Sequence, residues 1–171
     1  TSYINGYSIN PDIIGKYQCC IKKIEPLNVS WELYIGIING SLRNNENVFK
    51  TCIGYETLNN DYSYCFNKGG YYHIENRPPI GGKYNKRYAK NKGNPDDILG
   101  VHVDVLGNNN GLLDWSINGK IIGKQSIKIN IPKEGLLFGF STLNSKRITI
   151  KVIQIKTPLN VINFDEKIVL N

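Results

Sequence analysis

No stretch of the chain approaches the roughly 18 consecutive apolar residues that a membrane-spanning helix needs, so the sequence offers no helical span. The opening residues, TSYINGYSIN, have neither the basic nor the apolar region of a secretory leader. Methionine is absent, and the missing initiator implies a piece of a longer protein. Histidine occurs only as His73 and His102, too sparsely for an evident acid–base site. None of Cys19, Cys20, Cys52 and Cys65 stands in a CxxC or other metal spacing. GxSxG, P-loop and HExxH patterns are missing, and Gly81-Gly82-Lys83 opens no helix that could cradle a phosphate. No segment longer than about one turn repeats its apolar residues at helical spacing. These absences imply a chain with no catalytic residue, no metal and no cofactor.

What is present is turn chemistry and alternation. Hydrophobic residues make up 40% and charged residues 20% of 171 positions, the balance of one soluble globular domain spanning 1–171. Seventeen glycines and many asparagines suit a fold with many reversals. The stretch from Asp96 to Gly123 shows the pattern best. Leu99, Val101, Val103 and Val105 alternate with polar or small residues, and Leu113, Trp115 and Ile117 do the same after a Gly107–Gly111 reversal. Asn118-Gly119 then gives the strongest short hairpin signal, because both residues tolerate the positive φ of a type I′ turn. Trp115 shares its face with Leu113 and Ile117, which predicts a core indole.

Further strands are predicted on either side. Tyr17–Ile24 is the first substantial one, and Trp31–Ile38 is so continuously apolar that it should be buried on both faces. Phe49–Tyr55 reads as another, and Tyr62–Phe66 with Tyr71–Ile74 as a hairpin around Asn67–Gly70. Ser126–Ile131, Leu136–Phe140 and Arg147–Ile155 follow, the last slipping phase at Val152-Ile153, where a bulge is expected. Val161–Leu170 supplies one more edge strand. About ten short strands punctuated by turns indicate an all-β antiparallel sandwich with little or no helix.

Charge and cysteine usage set further expectations. The formal net charge is +7, and Lys83, Lys86, Arg87, Lys90 and Lys92 crowd one loop with Tyr84 and Tyr88 between them. Such a patch could grip nucleic acid or an anionic membrane, although charge runs are usually solvated loops. The cysteines read as free thiols of a reducing, cytoplasmic compartment. His102, Asp104 and Asp97 could share a sheet face and hold a cation, although a solvated strand face is the commoner outcome. Asp114 is expected to pair with Lys120 across the hairpin.

Several segments, in order, resemble one family. Cys52–Glu56 followed by Ser63–His73 is similar to the "LGWD…SYGY…DG…H" passage of SPRY domains. Asn94–Val101 resembles their "GDVIGV" strand, and Gly111–Gly123 their "GTLSFYLNGKDLG" hairpin. Leu137–Ser141 with Ile148–Val152 stands where the family has "YPAVSL" and its last core strand. The matches run from about residue 16 to 155, and the extra motifs of the longer TRIM-type relatives are missing. The resemblance implies a bent sandwich and a non-catalytic module, monomeric in isolation, that holds a protein or peptide partner in loops at one rim. By analogy with SOCS-box adaptors, the partner site falls on Tyr72, Ile74, Leu143, Asn144 and Ser145, although the late Trp-Gly of those adaptors is missing here. A carbohydrate-binding sandwich is the alternative of the same architecture.

Overall fold

The computed structural model describes residues 2–4, 7–25, 32–43, 53, 62–67, 70–74, 94, 96–142 and 147–170, with backbone alone for Glu25, Asn67 and 70–74. In chain order the strands are β1 (Ser2–Tyr3), β2 (Gly15–Glu25), β3 (Glu32–Asn39), β4 (Tyr62–Asn67), β5 (Gly70–Ile74) and β6 (Ile98–Gly107). They continue as β7 (Asn110–Ile117), β8 (Lys120–Ile121), β9 (Ile127–Asn130), β10 (Leu136–Thr142), β11 (Ile148–Lys156) and β12 (Val161–Leu170). The one helical element among the described residues is a 3₁₀ turn at Gly40–Leu42, capped by the Asn39 side chain.

Every named pairing is antiparallel. One sheet has five strands in the order β1-β10-β3-β4-β5, and the other has seven, β12-β11-β2-β6-β7-β8 with β9 also on β7. The all-β sandwich expected from the sequence is the architecture observed. Asn118 and Gly119 take φ of 52° and 83°, so the expected type I′ geometry turns β7 back as β8. Asn118 does more than turn the chain. Its carbonyl accepts from the Ile98 N–H at 2.8 Å, and its amide donates to Asp97 at 3.0 Å, tying the entry of β6 to the hairpin tip.

Alternation decides what faces the core. Leu99, Val101, Val103 and Val105 from β6 meet Leu113 and Trp115 from β7, and across the gap lie Leu33, Ile35 and Ile37 from β3. Trp115 is fully buried, its indole N–H donates to the Ile35 carbonyl at 3.0 Å, and its ring lies against Tyr64 at 5.6 Å between centroids. One side chain thus bonds the two sheets directly. β3 is buried on both faces, as its apolar run predicts. On the outer side Ile38, Leu137 and Ile53 form a small second cluster. Ile53 is held there by two buried hydroxyls: its N–H donates to Ser141 at 3.0 Å, and its carbonyl accepts from Ser63 at 2.6 Å.

Some expectations are corrected. Of the strand expected over Phe49–Tyr55, Ile53 is the one described residue, and it lies in a turn. The Asp114–Lys120 pair does not form, because a two-residue turn sets Lys120 opposite Ile117 and Ile121 opposite Ser116, whereas Asp114 faces His102 on β6. The bulge appears where expected, with β11 slipping register between Val152 and Gln154 against both β2 and β12. Among the described residues β12 forms the outer edge of its sheet, and Asp165 at its centre is ion-paired with Lys151 on β11.

Candidate functional site

The rim expected to hold a partner is built by the five-stranded sheet. Among the described residues β5 is its edge strand, and the register carries one row from Ser141 on β10 through Tyr34 and Cys65 to Tyr72. Two residues along each strand, another row holds Gly139, Gly36, Ser63 and Ile74. Residues 143–145 follow Thr142, which ends β10 in the row of Leu33, Phe66 and Tyr71. The exit of β10 and the β4–β5 turn therefore open at the same end of one sheet. Three strand spacings, about 14 Å, separate β10 from β5, a span that a short extended peptide can cover. The side chains of Tyr72 and Ile74, together with Leu143, Asn144 and Ser145, lie outside what the structure describes. So do Lys83, Lys86, Arg87, Lys90 and Lys92 of the basic loop.

A second site, which the sequence reading treats as solvated strand face, lies on the outer side of the seven-stranded sheet. Residues of the opposite phase to the core line up there: Lys16 and Gln18 on β2, His102 and Asp104 on β6, Leu112 and Asp114 on β7. With Ile121, Ser126 and Lys156 they line a cavity of about 320 Å³. Lys156 is register partner to Gln18, Gln18 to His102, and His102 to Asp114, so one row crosses four strands. Asp114 also accepts a short hydrogen bond from the Ser126 hydroxyl. Tyr17 also borders the cavity, with little of its surface exposed. It is buried in the core phase, and its hydroxyl donates to the Ile13 carbonyl at 2.9 Å.

The imidazole of His102 is the centre of this face. Its Nε2 lies 2.7 Å from the Ser116 Oγ on the neighbouring strand, a diagonal reach over Gly100. A Cβ at Gly100 would overlap the Ser116 hydroxyl and lie 2.9 Å from that ring nitrogen, so glycine is what lets the two meet. Serine, histidine and aspartate thus sit side by side, but Ser116 is only 1% exposed, too deep under the ring to meet a substrate carbonyl. Burial lowers the His102 pKa below its ordinary 6.5, opposed by the nearby Asp114 carboxylate and assisted by Lys16. The sign follows from linkage: a depressed pKa means that folding disfavours the charged ring. Its contribution to stability is intact above about pH 6.5 and is lost as pH falls through the folded value. Urea unfolding of the parent and His102→Gln between pH 7.5 and 5 should show the parent losing more stability on acidification. Parallel curves would refute this.

Asp97, grouped with His102 in the sequence reading, is not on this face. It is buried at the hairpin tip, where it accepts from Asn118 and from the Asn94 N–H at 2.9 Å. Among the described residues no three His, Cys, Asp or Glu side chains come together as a metal site. Cys19 and Cys20 point to opposite faces as expected. Cys19 lies in the core, where burial pushes its thiol up, and Cys20 accepts from the Gln18 amide at 2.7 Å. With Cys65 they are free thiols. Lys23 was not singled out, although the alternation of Tyr17, Cys19 and Ile21 puts it in the inward phase. It is 2% exposed, and burial lowers its ammonium to about 8.

A crystal structure of a human SPRY domain superposes on the chain with a TM-score of 0.55, covering 88% of this chain and 81% of that one at 14% identity. The fold is SPRY-like. At that identity the likeness concerns the path of the backbone alone. The chain also aligns with SCP-B, an Eqolisin-family peptidase solved with the tripeptide Ala-Ile-His, at a TM-score of 0.38 and 10% identity, covering 95% of this chain and 82% of that one, too loose to assign a shared fold. No protein-family model matches the sequence, and no curated protein matches it. Among the described residues no helix is long and apolar enough to cross a membrane.

Proposed function

We propose that this SPRY-like sandwich is a non-catalytic interaction module that grips a protein or short peptide at the rim between β5 and the exit of β10. The observation that carries the reading is the register. It sets Tyr72 in the row of Cys65, Tyr34 and Ser141, one residue short of the end where β10 terminates at Thr142, with Ile74 two residues further back on the same strand. Tyrosine suits such a place because a large, amphipathic ring with few rotors gives contact area at low entropic cost. Among the described residues no strand pairs with the outer side of β5, where an extended partner could add one. A reducing compartment is consistent with the three free thiols.

Affinity capture from native lysate, followed by quantitative binding of the recovered partner, tests the proposal. Tyr72→Ala and Leu143→Asp should each weaken binding by about 30-fold or more, the size of a hot-spot loss near 2 kcal/mol. Both variants should keep the parent's circular dichroism. Unchanged affinity in both would remove the rim from consideration.

A further inference from the structure

The cavity around His102 has charges that the protein itself leaves unmatched. Lys16 stands directly opposite Asp104 in the register, yet neither it, Lys156 nor Asp104 has an ion-pair partner among the described residues. The His102 Nε2 is committed to Ser116, which leaves Nδ1 without a protein hydrogen bond there. Two ammonium groups and two carboxylates, those of Asp104 and Asp114, surround one space, so the lining is neutral overall but polar in its parts. A phosphate would meet the carboxylates and a divalent cation the lysines, so neither bare ion matches the whole lining. A sugar or a base would seek an open aromatic platform, and neither aromatic ring of the lining is one, since Tyr17 is only 3% exposed and His102 is tied to Ser116. Leu112 and Ile121 supply the apolar part of the wall. A volume of about 320 Å³ is at the small end of ligand sites, which run from about 300 to 1,000 Å³.

We infer that this cavity binds a small zwitterion of the amino-acid type, its carboxylate between Lys16 and Lys156, its ammonium at Asp104, and its aliphatic part on Leu112 and Ile121. His102, held neutral by burial near pH 7, adds a hydrogen bond through Nδ1 without adding charge. The site is separate from the β5 rim, since it lies on the outer face of the other sheet. A free amino acid and the termini of a short peptide share this chemistry and differ in the distance between their charges.

The test is a titration of the whole chain with L-leucine and with glycyl-leucine, read by calorimetry and by the ¹⁵N shifts of the His102 ring. L-Leucinamide, which lacks the carboxylate, and N-acetyl-leucine, which lacks the ammonium, are the controls. At least one zwitterion should bind and move the His102 signals, and each control should bind at least about 10-fold more weakly, one lost charge-assisted contact. The preferred zwitterion names the source: leucine a free amino acid, glycyl-leucine a peptide. Lys16→Ala with Lys156→Ala, and separately Asp104→Asn, should weaken the preferred ligand by a similar factor. These side chains project from an outer face, and thermal unfolding checks that the variants stay folded. Absence of binding by both zwitterions, equal binding of the controls, or folded variants that bind like the parent would each overturn the assignment.

Discussion

Trp115→Ala should leave little folded protein at room temperature. The indole is fully buried between the sheets, and truncating such a side chain costs about 3–5 kcal/mol through lost burial and the cavity left behind. The same change removes the hydrogen bond that the indole gives to the Ile35 carbonyl in the middle of β3, and a lost buried hydrogen bond costs about 0.5–1.5 kcal/mol more. Domains of this kind are stable by only about 5–15 kcal/mol, so the loss is a large part of the whole. Trp115→Phe separates the two contributions. It keeps an aromatic ring against Tyr64 and removes the donor, and it should be destabilised by about 1–3 kcal/mol. Urea unfolding followed by circular dichroism measures both. A phenylalanine variant within about 0.5 kcal/mol of the parent would show that the inter-sheet hydrogen bond contributes nothing net.

Gly36→Ala should be almost as damaging, for the opposite reason. A Cβ there would strike the Tyr62 carbonyl oxygen and lie 2.8 Å from its carbon and 2.9 Å from the Ser63 Cα. These are backbone atoms and cannot swing aside as a side chain would. β4 would have to part from β3, withdrawing Tyr64 and Phe66 from the core and taking β5 with it. A destabilisation of about 3 kcal/mol or more is expected, at or beyond the upper end of ordinary overpacking. Any partner binding at the β5 rim should fall in parallel. A variant within about 1 kcal/mol of the parent in urea would mean that the strands can breathe apart there cheaply.

Local chemistry made much of the fold readable. The doubly buried β3 was evident because its apolar residues do not alternate, and the bulge in β11 because its alternation slips at Val152-Ile153. The type I′ turn was written in two residues. The Asp114–Lys120 expectation failed on register, which a two-residue turn fixes strictly: with Ile117 opposite Lys120, Asp114 lies too far back along β7. The cavity around His102 was hidden for a different reason. Its lysines arrive on β2 and β11, strands remote in sequence from β6, and only the sheet order makes them neighbours. Gly100 carried a usable clue, since a glycine inside an alternating strand often marks a close approach, here of an imidazole to a hydroxyl. The proposed docking rim rests on resemblance, and of its residues only the backbone of Tyr72 and Ile74 is described.

The outermost strand of the larger sheet has a consequence for how the molecule behaves in a crowded solution. β12 is ten residues long and has valines exposed near both ends, at Val161 and Val169, a template on which another chain could extend the sheet. Its midpoint reads Asp165-Glu166-Lys167, and Asp165 is already engaged by Lys151. A newcomer stacking along that edge would have to match this mixed-sign cluster residue by residue, and a second copy in an arbitrary register would set like charges side by side. This long edge strand thus carries its own electrostatic gatekeeper against runaway polymerisation.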